Sequence, residues 1–144
     1  IIKKIKTIII YYKKLFYKKP KIAVLGLNPH NCELERSSEE VRNIIPAIKI
    51  LKKYGRVDGP MVGDYFFKKD YKKYDVVVGM YHDQVLIPFK TINKFDGINI
   101  TIGKKILRLS PDHGTAKNLR GRKKTISNQS FLKCIEFCSK KLNV

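Results

Sequence analysis

The chain has 144 residues, 43% of them hydrophobic, which suits one domain with a buried core and excludes a disordered protein. Its 31 basic and 12 acidic residues give a net charge of +19, which makes nucleic acid or a membrane surface a candidate partner. Because the lysines are scattered in pairs among many Ile, Asn and Tyr residues, we interpret most of the charge as coding bias on a solvated surface. We therefore expect no membrane association and do not favour nucleic acid as the partner.

The first quarter of the chain predicts a helix followed by a strand. Apolar residues at helical spacing over residues 1–18 predict an amphipathic helix that ends at Pro20, and its lysines exclude a transmembrane span or a signal peptide. The apolar run over residues 21–27 predicts a short buried strand that leads into Asn28-Pro29-His30.

A second helix is predicted to start at residues 37–40, where acidic residues favour the helix dipole. Pro46 lies within its apolar stripe and marks either a kink or the true first turn. Residues 57–60 (Val-Asp-Gly-Pro) predict a turn. Val76–Val78 then predicts a strand covered on both faces, because three β-branched residues show no polar alternation.

The last third of the chain predicts two paired strands and a closing helix. Alternation over residues 97–103 and a second run at 106–109 predict the strand pair, and a polar turn at 110–116 follows. The closing helix is predicted to place its apolar residues on one face: Phe131, Cys134, Ile135, Cys138 and Leu142. With Cys32, the three cysteines are an odd number without zinc-like spacing, which is typical of the reducing cytoplasm.

Two of the three histidines follow predicted strands at the carboxyl end. His82 and Asp83 come after Val76–Val78, and His30 comes after the strand at residues 21–27. Ligands bind beyond the carboxyl ends of strands in open α/β sheets, and imidazole is a common metal ligand. The alternative is that His82 and Asp83 only cap the next helix. Asp64 is likewise either a cap or a carboxylate close to a metal.

An ordered set of motifs extends this pattern: Gly26-Leu27, Asn28-Pro29-His30, Ile44-Ile45-Pro46-Ala47-Ile48, Met80-Tyr81-His82-Asp83-Gln84, Lys90, Asn99, Arg108 and Ser110-Pro111-Asp112-His113-Gly114-Thr115-Ala116. Over about residues 20–120 the set resembles the 4-hydroxythreonine-4-phosphate dehydrogenases of vitamin B6 biosynthesis. The resemblance implies a three-layer α/β/α fold of the isocitrate/isopropylmalate-dehydrogenase-like class. We expect residues 1–144 to form a single α/β domain that matches the carboxyl-terminal part of that fold.

The resemblance also implies a reaction. It implies NAD-dependent and divalent-metal-dependent oxidation of 4-phosphooxy-L-threonine to 2-amino-3-oxo-4-phosphooxybutanoate, which decarboxylates to 3-amino-2-oxopropyl phosphate. The metal would be Zn, Mg or Co, and the enzyme would be a cytoplasmic homodimer with an active site shared between subunits.

Residue roles follow from the same resemblance. His30 and His82 would be metal ligands, with His82 supplied by the opposite subunit, and Asp64 and Asp83 would be catalytic acidic residues near the metal. Lys90, Asn99 and Arg108 would bind substrate. The NAD side would be lined by Asp112, His113, Gly114, Thr115 and Ala116.

Departures from the family pattern leave other functions open. The family's chains are over twice as long, and their amino-terminal half carries a third metal histidine and a substrate-binding His-Thr pair. The family's glycine-rich turn after the first histidine is replaced here by residues 31–36, which contain no glycine. We therefore expect a fragment, a split-gene product or a decaying gene. The alternatives are a non-catalytic remnant or interaction module and, less favoured, a basic nucleic-acid-binding protein.

Overall fold

A computed structural model describes residues 1–103, 105–114 and 127–142. The chain divides into two compact units, Ile1–Pro88 and Phe89–Val144, and each is described by itself. Within the described ranges no helix has the length and apolarity needed to span a bilayer. The single α/β domain expected from the sequence stays a prediction.

The first unit alternates helices and strands. Its elements are α1 (Ile2–Phe16), β1 (Ile22–Leu25), α2 (Ile45–Leu51), β2 (Val57–Met61), α3 (Gly63–Phe66), β3 (Val76–Val78) and the start of α4 (His82–Asn93). Short 3-10 turns lie at Asn31–Leu34, Lys52–Tyr54 and Asp70–Lys73, and a π-helical turn at Glu40–Ile44 leads into α2. Pro46 stands at the start of α2, so the prediction that it marks the first turn is confirmed.

The three strands form a parallel sheet in the order β2-β1-β3. Because side chains alternate along a strand, β1 supplies both faces of the sheet. Ile22 and Val24 join a core with Ile5 of α1 and Leu51 of α2. On the opposite face, the other two residues of β1, Ala23 and Leu25, pack with the aromatic Phe66 of α3. The first unit is thus a sheet with helices on both sides.

Three predictions for this unit need correction. Residues 57–60 do not form a turn, because they belong to β2, which runs through a cis Gly59–Pro60 bond. The strand Val76–Val78 exists, but it is only partly buried, since it is the edge strand next to β1. The first helix also ends before Pro20, at Phe16, with Tyr17 in the left-handed conformation.

The second unit contains the end of α4, β4 (Ile98–Thr101), β5 (Arg108–Pro111) and α5 (Gln129–Leu142). The predicted strand pair is confirmed as antiparallel, with the second strand starting two residues later than predicted. The predicted closing helix is confirmed as α5, but only part of its predicted apolar face is buried. Cys134 is buried, whereas Phe131 and Ile135 are about half exposed.

The turn after His30 has an unusual backbone. Four successive residues that are not glycine have positive φ: Asn31 (59°), Cys32 (45°), Glu33 (48°) and Leu34 (60°). Asparagine tolerates this left-handed region, but for most other residues it costs roughly 1–2 kcal/mol each. The turn therefore adopts a backbone conformation that favours glycine, although none of these four residues is glycine.

Replacing Glu33 by glycine should stabilise the protein. The relief of backbone strain, about 1–2 kcal/mol, exceeds the added flexibility of the unfolded chain, about 0.5–1 kcal/mol. We expect Glu33→Gly to raise the free energy of unfolding in urea denaturation by roughly 0.5–1 kcal/mol.

Glu35→Gly is the matched control, since it removes the same charge at a position where φ is −55°. It should lower the free energy of unfolding. Equal destabilisation by the two variants would contradict the strain at Glu33.

Candidate functional site

Three loops of the first unit leave the sheet at the same edge. Parallel strands have their carboxyl ends on one side, and β1, β2 and β3 are parallel. His30 follows β1, Asp64 follows β2, and His82 and Asp83 follow β3. The prediction that His30 and His82 each follow the carboxyl end of a strand is confirmed. The structure adds that these two strands, β1 and β3, are paired.

The loop that carries His30 is held by hydrogen bonds to Asn28 and Glu40. The Asn28 backbone N–H donates to Glu40 Oε1 at 2.8 Å. The Asn28 side-chain Oδ1 accepts hydrogen bonds from the backbone N–H groups of His30, at 2.9 Å, and Cys32, at 3.3 Å. The backbone of the predicted metal ligand is therefore held by Asn28, whose own N–H donates to the buried Glu40.

Glu40 is a buried carboxylate whose role the sequence did not reveal. Its side chain has no exposed surface. Burial raises the pKa of Glu40, but the hydrogen bond from the Asn28 backbone N–H, aided by the nearby backbone N–H groups of Glu40 itself and Leu27, outweighs this effect and holds the pKa below its ordinary value. The sequence showed two adjacent acidic residues at a helix start, and nothing in the pattern distinguished the buried Glu40 from the exposed Glu39.

His30 and Asp64 are brought together. The His30 Nε2 and Asp64 Oδ2 atoms lie 3.1 Å apart, and both side chains are more than half exposed. The backbone supports this pairing, because the Gly63 N–H donates to the Pro29 carbonyl at 3.0 Å. A carboxylate on one ring nitrogen orients a histidine and leaves the other nitrogen for a ligand.

His82 and Asp83 form a second such pair at the start of α4. The His82 Nδ1 and Asp83 Oδ1 atoms lie 2.7 Å apart on exposed side chains. Within the part of the chain that the structure describes, no group of three or more His, Cys, Asp or Glu side chains is placed to hold a metal ion. The donor types suit a divalent metal, but the described residues supply only part of a ligand set.

In the second unit, Asn99 and Arg108 lie on the same face of the strand pair. Asn99 is opposite Ser110 and Thr101 is opposite Arg108. Directly opposed residues, and residues two apart on one strand, point to the same side of a sheet. These four residues therefore form one polar face, on which Asn99 and Arg108, two of the three predicted substrate-binding residues, are exposed.

Lys90 and Asp112 are in contact. The Lys90 Nζ atom lies 3.3 Å from Asp112 Oδ1 and 3.2 Å from the Asp112 carbonyl oxygen. The Asp112 N–H in turn donates to the Oγ of Ser130 at 2.8 Å, and Ser130 donates to the carbonyl of Gly97. Ser130 is buried, and its role was missed because it lies outside the stretch in which motifs were recognised.

The remaining predicted cofactor residues are less constrained. His113 and Gly114 are exposed, and the His113 Nδ1 atom lies 3.1 Å from the Gly114 carbonyl oxygen. No atom of the described residues would lie within 4 Å of a Cβ added to Gly114. Thr115 and Ala116 lie outside the described residues.

Comparison with known proteins matches most of the chain to one family. The family model described as pyridoxal phosphate biosynthetic protein PdxA covers residues 1–138. A 4-hydroxythreonine-4-phosphate dehydrogenase from Prosthecochloris aestuarii is 44% identical over 116 residues, which are 78% of this chain and 33% of that protein. The enzyme of that name from Aquifex aeolicus is 43% identical over 133 residues, 91% of this chain and 41% of that protein.

A solved structure agrees with these sequence matches. The crystal structure of 4-hydroxythreonine-4-phosphate dehydrogenase from Klebsiella pneumoniae has a TM-score of 0.74 and 36% identity, covering 92% of this chain and 41% of that one. The chain thus spans between 33% and 41% of the length of these relatives.

The buried Glu40 carboxylate should make stability depend on pH in the acid range. A pKa that is lower in the folded than in the unfolded state stabilises the protein above the unfolded value, about 4.3, and this stabilisation is lost as pH falls through the folded pKa. We expect Glu40→Gln to flatten the fall in unfolding free energy below about pH 4.3, measured by urea denaturation at a series of pH values.

Glu39→Gln is the control, because Glu39 precedes Glu40 and is exposed. It should keep the acid dependence of the unmodified chain. An unchanged profile in Glu40→Gln would show that the carboxylate of Glu40 does not stabilise the folded state.

Proposed function

Since this chain belongs to the PdxA family of pyridoxal phosphate biosynthetic proteins, we propose that it forms part of an NAD-dependent and divalent-metal-dependent dehydrogenase. Its α/β fold is of the isocitrate/isopropylmalate-dehydrogenase-like class, as expected from the sequence. The proposed substrate is 4-phosphooxy-L-threonine, oxidised to 2-amino-3-oxo-4-phosphooxybutanoate, which loses carbon dioxide to give 3-amino-2-oxopropyl phosphate. The observation that carries the proposal is the delivery of His30, Asp64 and His82-Asp83 to one edge of a parallel sheet.

The two histidines are the proposed metal ligands of this chain. Each has a carboxylate on one ring nitrogen, Asp64 for His30 and Asp83 for His82, so each keeps a second nitrogen for the ion. A divalent ion bound there would act as a Lewis acid toward the substrate hydroxyl, and NAD would accept the hydride. Asp64 and Asp83 would hold the histidine rings in position and accept a proton from the reacting hydroxyl group or from water.

The second unit would bind the anionic ends of the substrate. Arg108 offers a planar pair of donors to a phosphate or carboxylate, and Asn99 on the same face would orient a neutral polar group. Lys90 is already neutralised in part by Asp112. A phosphate or carboxylate would therefore bind Lys90 in competition with the Asp112 carboxylate.

The rest of the active site is proposed to come from outside the 144 residues. The chain spans between 33% and 41% of its relatives, and its described residues hold no group of three metal-ligating side chains. We propose that an amino-terminal segment supplies the missing ligand and that a second copy of the chain completes the site as a homodimer.

Turnover is the direct test of this function. The chain would be assayed for NADH formation at 340 nm with 4-phosphooxy-L-threonine, NAD and Zn²⁺, Mg²⁺ or Co²⁺. It would be tested alone and mixed with the part of the Aquifex aeolicus enzyme that it does not span. We expect turnover in the mixture and little or none from the chain alone, because the ligand set is incomplete. No turnover in a folded mixture with any of the three metals would contradict the proposal.

Metal binding separates this enzyme from a non-catalytic remnant. Zn²⁺ affinity would be measured by titration calorimetry on the chain and on single variants. His30→Ala and His82→Ala should each weaken binding by more than about 10-fold, because each removes an imidazole ligand. His113→Ala is the matched control and should bind as the unmodified chain does. Equal binding by all three variants would place the ion elsewhere.

Gly114 provides a test of the cofactor side. Nothing in the described part of the chain would meet a Cβ at this position, so Gly114→Ala should leave the unfolding temperature unchanged. If NAD approaches the backbone there, the added methyl group should weaken NAD binding about 10-fold or more, by analogy with the loss of close backbone approach at phosphate-binding glycines. Unchanged NAD affinity, measured in the turnover mixture, would remove Gly114 from the cofactor site.

A further inference from the structure

We propose that Gln84 is a positioning residue that ties the His30 loop to the His82 loop and so fixes where each histidine lies, His30 for the metal site of its own subunit and His82 for that of the opposite subunit. This inference rests on the metal site of the proposed function. Gln84 lies in the first turn of α4, two residues after His82. It is neither a candidate ligand nor part of a histidine–carboxylate pair, and the proposed function assigns it no role.

The Gln84 carboxamide forms hydrogen bonds in two directions. Its Oε1 atom accepts from the Met80 N–H at 2.8 Å, at the carboxyl end of β3. Its Nε2 atom donates to the Gly26 carbonyl at 2.7 Å, at the carboxyl end of β1 and 58 residues away in sequence. One side chain therefore uses its acceptor on one strand end and its donor on the neighbouring one.

The third loop of the site passes beside the same side chain. A Cβ added to Gly63 would lie 3.5 Å from Gln84 Nε2, in ordinary van der Waals contact. Gly63 directly precedes Asp64, and its N–H donates to the Pro29 carbonyl. The loops that carry His30, Asp64 and His82 thus converge on the amide of Gln84.

Gly26 is the first residue after β1 and is closely packed. The strand ends at Leu25, and the Gly26 N–H donates to the Met61 carbonyl at 3.0 Å. Any Cβ at Gly26 would collide with the Asn31 side chain, whose Oδ1 atom would be only 1.9 Å away. The Gly26 carbonyl lies where the chain leaves β1, and Gln84 is the group that donates to it.

The chemistry requires a carboxamide. A group that accepts from Met80 and donates to Gly26 must carry both an acceptor and a donor on one planar end. Glutamate is isosteric but keeps only the acceptor, and methionine fills similar space with neither function in comparable strength. Gln84→Glu therefore removes only the hydrogen bond to the Gly26 carbonyl, whereas Gln84→Met removes both hydrogen bonds.

The test uses nuclear magnetic resonance on the 144-residue chain. In Gln84→Met we expect shifts of the backbone amides of Gly26, Leu27, Asn28 and Met80, and of the imidazole resonances of both His30 and His82. In Gln84→Glu the Met80 amide resonance should stay near its position, while the backbone amides of Gly26, Leu27 and Asn28 and the imidazole of His30 shift. Asn93→Leu is the control, because Asn93 carries an amide on the same helix that donates locally, to the Phe89 carbonyl four residues earlier.

Metal affinity is the second readout. By the rule for residues that orient metal ligands, Gln84→Met should weaken Zn²⁺ binding about 10-fold, with Asn93→Leu unchanged. Histidine resonances and Zn²⁺ affinity that match those of the unmodified chain in Gln84→Met would overturn the inference. If Gln84→Met does not fold, Gln84→Glu is the deciding variant. Unshifted amide resonances of Gly26, Leu27 and Asn28 and an unshifted His30 imidazole would then overturn the inference.

The two proposals fail in different ways. If the unmodified chain does not bind Zn²⁺, the metal site of the proposed function is wrong, and the histidine resonances of the metal-free variants still decide the role of Gln84. If the unmodified chain binds Zn²⁺ and the variants leave both histidines unmoved, only the role of Gln84 is wrong.

Discussion

The parallel pairing of β1 with both β2 and β3 is the constraint on which the rest of the first unit depends. With β1 in the middle, its four residues are buried on both faces, and each face builds a separate core with helices. The same pairing directs three strand ends to one edge. Packing and site geometry therefore share one cause, and a change that displaced β1 would affect both.

The sequence predicted the elements whose cause is local. A run of apolar residues was enough to identify β1, and helical spacing was enough for α1. It failed at β2, because Gly59 and Pro60 are turn formers whose strand pairing comes only from the neighbouring β1. It also overstated the burial of β3, since the order of strands in a sheet is not written in the composition of any one strand.

The candidate site shows the same division. Histidines after apolar strands were predictable from the order of residues, and the resemblance to a family supplied roles for Lys90, Asn99 and Arg108. The supporting groups were not predictable. Glu40 acts on a backbone N–H 12 residues away and Gln84 on a carbonyl 58 residues away, and neither distance leaves a periodic signal. Chemistry-bearing residues follow patterns, while the residues that hold them depend on tertiary contacts.

The buried hydroxyl of Ser130 bears on how the chain is shortened for experiments. It accepts from the Asp112 backbone N–H and donates to the Gly97 carbonyl. The start of α5 is therefore hydrogen-bonded to the residue before β4 and to the residue after β5. Trimming the polypeptide before Gln129 would leave two backbone groups without this shared partner and loosen the hairpin that presents Asn99 and Arg108. A minimal version of the second unit must therefore retain its last helix.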